Sequence, residues 1–447
     1  MKSAANTGGN DGSFQVRQSA SAASSGTMGG PGGRRGVPLS VPLPFLLTGA
    51  CAAALFGVLA PGILPLALVA PTFPQVLALV HTVTLGWLTM TIMGASLQLT
   101  PVIVVSPLRA TRFLRWQYPL FLCGVVCLVN GFWWWQTWLL ISGGTLVVLA
   151  VVQYVVVMAT TFVHASTRPL TVRFLVASLI YLCIVVSLGL TAAWNFVFDF
   201  LGPGFEHILL AHITLGVVGW LSCTLIGVSY TLGRLFTLAH AHGDHWGKRI
   251  FLLLNGGIIL LALGLVTGVD PLVWSGGALL ICAAGLFVGD YWRLLRVRQR
   301  KSLEVTQYHS IAALFYFFAV ITGGVLVVIG GWGTPAIETA LGLAALIGWL
   351  GQSTVGYLYK IVPFLVWSER YGPHVGRQKV PLMRDLVHER WSWISWWLIN
   401  LGLPGTIGAA LLQQTLLLTI ASSLFAPGLL IVLVNLAGCA WHLHIPR

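Results

Sequence analysis

After residue 37 the chain alternates between long apolar runs and short polar connections, and a run of about 20 apolar residues is long enough to cross a hydrocarbon core of roughly 30 Å as a helix. Twelve runs are predicted to span: 38–60, 76–101, 116–135, 137–160, 172–198, 207–233, 249–268, 271–295, 308–331, 335–360, 390–413 and 416–443. Residues 1–36 are rich in Gly, Ser and Ala and hold no apolar run. They read as a disordered tail rather than a signal peptide, because the first apolar run starts too late and runs too long for a cleavable segment.

Three of the runs share a finer pattern. The second reads HTVTLGWLTMTIMGASLQL from His81, the sixth HITLGVVGWLSCTLIGVSYTL from His212, and the tenth LGLAALIGWLGQSTVGYLYKIVP from Leu341. The pairs Gly86-Trp87, Gly219-Trp220 and Gly348-Trp349 align, and Gly94, Gly227 and Gly356 follow eight residues after the first glycine of each pair. Thr91, Thr224 and Ser353 place a hydroxyl four residues after each Trp. The pairs are separated by 133 and 129 residues, with four spans in each interval. The expectation is an all-α integral membrane protein in which residues 37–447 form one twelve-helix domain of three pseudo-equivalent four-helix units, roughly 116–233, 249–360, and 390–443 together with 38–101. Small residues at helical spacing suit such a bundle, because close packing drives helix association in lipid.

Composition agrees with the spans: 57% of residues are hydrophobic, 8% are charged, and the mean hydropathy is +0.88. The formal net charge of +13 would suggest a nucleic-acid partner in a soluble protein. Threading the spans with both termini on the cytoplasmic side removes that reading, because all 24 Lys and Arg then fall in cytoplasmic loops or tails. Asp199, Glu206, Asp270 and Glu338 fall on the other side. The partner implied by the charge is a lipid bilayer, and the pattern fits a multi-pass protein of the bacterial cytoplasmic membrane. All seven Cys lie in predicted spans without C-x-x-C spacing, as small apolar residues do.

Twelve spans in three pseudo-equivalent arcs, with His81 and His212 at the outer ends of spans two and six, resemble subunit I of the haem-copper oxidase superfamily, which includes the nitric oxide reductases. The resemblance is architectural and covers about residues 38–443. It implies a haem ligand from the second span, copper ligands from the sixth and seventh, and haem ligands at H-x-H spacing on the tenth. His81 matches the first of these positions and His212 the second, whereas spans seven and ten contain no histidine. What the resemblance implies is therefore a short, divergent member. It would bind haem or copper near the outer face through His81 and His212 and serve electron transfer or the handling of O2 or nitric oxide, with an electron-donor protein or quinol as partner. It would not be a complete proton-pumping oxidase.

The residues themselves leave alternatives open. Neutral imidazole ligates both haem iron and copper, but His81 precedes its Trp by six residues and His212 by eight, which at 100° per residue puts them about 160° apart in the repeat frame. His207 returns to the phase of His81 about 10 Å further outward and, beside Glu206, reads chiefly as an interfacial polar residue. In AHAHGDHWGK, His240, His242, Asp244 and His245 could gather a divalent ion, a solvated polar loop being the plainer reading. His309, His442 and His444 lie across the bilayer from His81. No carboxylate, Lys or Arg falls at the predicted centre of a span, so transmembrane proton pumping is not expected. Thr91, Gln98, Thr224, Tyr230, Gln352, Ser353, Tyr357 and Asn400 are expected to bond between helices. No catalytic residue is assigned. A cofactor-free transporter or channel for a small neutral solute, or a scaffold that keeps the fold without the chemistry, fits the same spans.

Overall fold

The computed structural model describes residues 37–239, 243–300 and 302–444. Twelve helices in it are long and apolar enough to cross a membrane: α1 (Pro42–Ala67), α2 (Pro74–Ile103), α3 (Thr111–Trp133), α4 (Thr137–Val163), α5 (Leu170–Phe198), α6 (Gly202–Thr237), α7 (His245–Thr267), α8 (Asp270–Arg296), α9 (Val305–Gly330), α10 (Pro335–Arg370), α11 (Glu389–Leu411) and α12 (Thr415–Trp441). There is no strand among the described residues. The starts are encoded locally. Pro42, Pro74 and Pro335 occupy the first helical turn, where a missing N–H is harmless, and the Thr334 hydroxyl accepts from the Ile337 amide at 3.3 Å.

Consecutive helices pack as neighbours, and α12 returns to α1 to close a ring. Within it lie α2, α6 and α10, the helices of the repeat, whose most apolar stretches are 56–83% buried against 28–50% for the other nine. Alternate loops carry the arginines and lysines, and this side is called the basic face below. The opposite, acidic face carries Asp199, Glu206 and Glu338.

The threefold pattern extends beyond the inner helices. In chain order the units are α1–α4, α5–α8 and α9–α12, a different cut of the same ring from the 116–233, 249–360, and 390–443 with 38–101 grouping expected from the sequence. Methyl groups added at Gly94, Gly227 and Gly356 would press on the Cβ atoms of Phe45, Phe174 and His309, on α1, α5 and α9. At Gly86, Gly219 and Gly348 the corresponding neighbours are Ala52, Tyr181 and Tyr316, each seven residues further along the same outer helix. The α3–α4 and α7–α8 hairpins also match: Gly143 packs on the backbone of Leu128 and Gly276 on that of Leu261.

Each inner helix widens into a π-helix of eight residues, over Thr82–Thr89, Leu215–Ser222 and Ala344–Gly351, with the Gly-Trp pair at the fifth and sixth positions every time. Such wide turns are rare and cluster at functional sites. Here they aim the tryptophans from one unit to the next. The Trp220 indole donates to the Thr89 hydroxyl at 3.0 Å and the Trp349 indole to the Ser222 hydroxyl at 2.8 Å. Each acceptor lies two residues after the tryptophan of the preceding unit, and in the third unit that position is Gly351. A Cβ on Gly351 would stand 2.8 Å from the Trp87 ring, and the buried Trp87 indole N–H has no hydrogen-bond partner among the described residues.

The three Trp→Phe exchanges therefore differ in cost. At Trp220 and Trp349 each removes a buried hydrogen bond, so unfolding by SDS titration should reveal about 1 kcal/mol more destabilisation than at Trp87.

Several boundaries differ from the sequence expectation, α1 for instance running to Ala67 rather than residue 60, and the largest difference is in the tenth span. The tenth span, predicted to stop at residue 360, continues to Arg370. Lys360 does not end it, because its ammonium pairs with Glu304, which also binds Arg300, and its side chain is only 11% exposed. A neutralised lysine no longer forces the helix to leave the bundle.

Candidate functional site

His81 closes the first α-helical segment of α2, just before its π-turn, and His212 lies three residues before that of α6. Both are half-buried. His81 Nδ1 lies 2.8 Å from the Leu77 carbonyl oxygen, and His212 Nδ1 lies 3.0 Å from that of Val185 on α5. A carbonyl only accepts, so Nδ1 must carry the proton in each neutral ring, leaving the Nε2 lone pair for another group. The Phe132 ring of α3 stacks on His81 with centroids 4.7 Å apart and 26° between planes. His212 fits against Gly189, where a Cβ would stand 3.0 Å from its Cε1.

His81 and His212 lie at comparable depth, each just before the π-turn of its helix. His81 is held against α3 by Phe132, and His212 against α5 by Val185 and Gly189. Ala78, Leu128, Phe132, Leu140, Ile141 and Ala193 form a separate apolar cluster beside His81, which keeps the polarity of the site confined to the imidazoles.

The remaining candidates are held elsewhere. His207 Nδ1 lies 2.7 Å from the Leu265 carbonyl oxygen of α7, tying it to that helix end. His245 begins α7 at the basic face and meets the Trp246 ring edge-on. Asp244 pairs with Arg234 at 2.9 Å, while His240 and His242 lie outside the described residues. Among the described residues there is no group of three or more His, Cys, Asp or Glu able to hold a metal ion. His442 bonds to the Tyr371 hydroxyl at 2.9 Å.

Several features were not anticipated from the sequence. Asp290, inside α8 and 3% exposed, receives the Tyr230 hydroxyl at 3.1 Å. On the basic side of the tryptophans, α2, α6 and α10 line an axial cavity of about 40 Å³ whose walls are mainly apolar, Ile92, Leu99, Leu225 and Leu358 among them, with Thr91, Thr224 and Tyr357 as minor polar points. The expected interhelical bonds form at Tyr230, at Tyr357 with Ser229 (2.7 Å) and at Gln352 with Asn400 (2.7 Å), but Thr224 bonds back to Trp220 on its own helix.

The sequence matches no protein-family model, and no curated protein is similar to it.

Proposed function

We propose that this multi-pass membrane protein is built on the plan of haem-copper oxidase subunit I and binds a redox cofactor, haem or copper, between α2 and α6 near the acidic face. The observation that carries the reading is the pair His81 and His212, at comparable depth on the inner helices of neighbouring units, each with its Nδ1 proton committed to a main-chain carbonyl. A backbone acceptor on the far nitrogen is the usual outer support of a ligating histidine, fixing its tautomer and raising its basicity. The donor set fits either group, because both haem iron and copper take neutral imidazole.

A bound haem or copper would supply one-electron chemistry and a site for O2 or nitric oxide. The chain's own part is narrower. His81 and His212 hold the group, the Leu77 and Val185 carbonyls orient the rings, and Phe132 with its apolar neighbours keeps water away. The seventh span carries a histidine only at its basic-face start, His245, and the tenth carries none, so the function is electron transfer, gas binding or sensing rather than complete oxygen reduction, with an electron-donor protein or quinol as partner. The basic loops support the reading that the protein lies in a bacterial cytoplasmic membrane with both termini inside.

The test is an absorption spectrum before and after dithionite, with metal analysis, on protein purified in detergent from a haem- and copper-replete host. A Soret band, or copper in stoichiometric amount, is expected. Absence of both overturns the proposal. A neutral-solute conduit is the second reading, favoured by the mainly apolar axial cavity between the three inner helices, and solute-dependent swelling of proteoliposomes would select it.

A further inference from the structure

The third unit departs from the other two at one buried position. Where α1 and α5 place Phe45 and Phe174, α9 places His309, and all three are fully buried. The partner changes with it. Three residues after the repeat tryptophan stand Met90 and Cys223 in the first two units and Gln352 in the third. His309 Nδ1 donates to the Gln352 side-chain oxygen, and the Gln352 amide donates to Asn400 Oδ1 at 2.7 Å. With its proton on Nδ1, His309 has a lone pair on Nε2, and that atom has no partner among the described residues.

Other polar atoms around it are also unsatisfied. The His309 ring lies 6.2 Å from that of Tyr359, centroid to centroid. The Tyr359 hydroxyl interacts with the Ser392, Ser395 and Asn435 side chains but has no partner at direct hydrogen-bond geometry among the described residues, and the Trp396 indole N–H on α11 has none among them either. One lone pair, one hydroxyl and one N–H are thus left open within a single four-helix unit. Buried polar groups without protein partners are ordinarily satisfied by ordered water, which bonds to two to four such groups.

The polar groups also lead outward. Asn435 donates to Ser392 Oγ at 3.0 Å and accepts from the His388 amide at 2.8 Å, and His388 is exposed at the basic face. At the basic ends of α9 and α10, Lys360 and Arg300 pair with Glu304, and Glu389 and Arg390 follow His388 in the chain. At the inner end, Asn400 lies eleven residues into α11, roughly 16 Å of helix at 1.5 Å per residue, about half of the hydrocarbon thickness.

We propose that α9–α12 enclose a hydrated half-channel from the basic face to His309, with ordered water bridging His309 Nε2, Tyr359 Oη and the Ser392, Ser395 and Asn435 side chains, so that His309 exchanges protons with the solvent on that side. It is separate from the His81 and His212 pair and stands whether or not that pair holds a metal.

The test is radiolytic hydroxyl-radical footprinting, read by mass spectrometry, on the full chain in detergent. Radicals made from internal water label adjacent side chains, and Phe, Tyr, Trp and His all react. His309, Tyr359 and Trp396 should be labelled several-fold above Phe45 and Phe174, which are equally buried but packed in apolar surroundings. Equal protection of all five overturns the proposal. His309→Phe reproduces the residue of the other two units and should lower labelling at Tyr359. Unchanged labelling in a folded variant also overturns it, and if that variant misfolds the wild-type comparison decides alone.

Discussion

Gly276→Leu should abolish recovery of a monodisperse protein, whereas Gly289→Leu on the same helix should leave it unaffected. A Cβ at Gly276 would run into the main chain of Leu261 and approach the Gly257 carbonyl at 3.0 Å, while one at Gly289 meets nothing within 4 Å. The obstacle is backbone, so rotamer changes cannot relieve it and the two helices of the α7–α8 hairpin must separate. Overpacking a core ordinarily costs about 1–3 kcal/mol, and a clash with main chain sits at or beyond the top of that range. In a bilayer, separated helices lose the close packing that holds them together. Gly143→Leu should behave like Gly276→Leu, because Gly143 meets the Leu128 backbone and the Gly124 carbonyl in the α3–α4 hairpin in the same way. Size-exclusion profiles and SDS titration of the three variants read the result. Folded, stable Gly276→Leu protein would mean that the hairpin contact is not a determinant of the fold.

The same glycines explain why so much of the architecture was legible. Apolar runs long enough to span, separated by loops whose charge alternates, require only that a bilayer has a fixed thickness and that cations stay on one side. The repeat was visible at Gly86-Trp87, Gly219-Trp220 and Gly348-Trp349 because residues in tight helix contact are tolerated only in narrow types. What those residues do was less legible. A constant period of 3.6 runs straight through the π-turns, and the hydroxyls that receive the indoles are Thr89 and Ser222, two residues after the tryptophan rather than four. Lys360 looked like a helix end because its partner Glu304 is remote in sequence and adjacent only after folding. The polar network at His309 was hidden for a similar reason. Its significance lies in replacing a phenylalanine, and the contacts of Gly94, Gly227 and Gly356 are what align the three outer helices.

On the proposed reading, His212→Ala should eliminate haem or copper from the purified protein, and His81→Ala should do the same, since either change removes one of the two proposed imidazole donors. His245→Ala, at the basic face and across the bilayer, should leave both spectrum and metal content unchanged. The more discriminating variant is Gly189→Ala. Its methyl would meet His212 Cε1 at 3.0 Å, close enough to tilt the ring away from the Val185 carbonyl without removing the ligand. Loss of an outer support of this kind commonly weakens metal binding about 10–100-fold, so Gly189→Ala should retain the cofactor at high supply and lose it on dialysis against a competing ligand, with a shifted absorption band. That graded order, complete loss for the two histidine variants and partial loss for Gly189→Ala, follows only if both imidazoles ligate. A spectrum indifferent to His212 but abolished by His81→Ala would leave α2 as the sole donor and place the second ligand outside the proposed pair. Cofactor content unchanged in both histidine variants would remove the pair from consideration as its site.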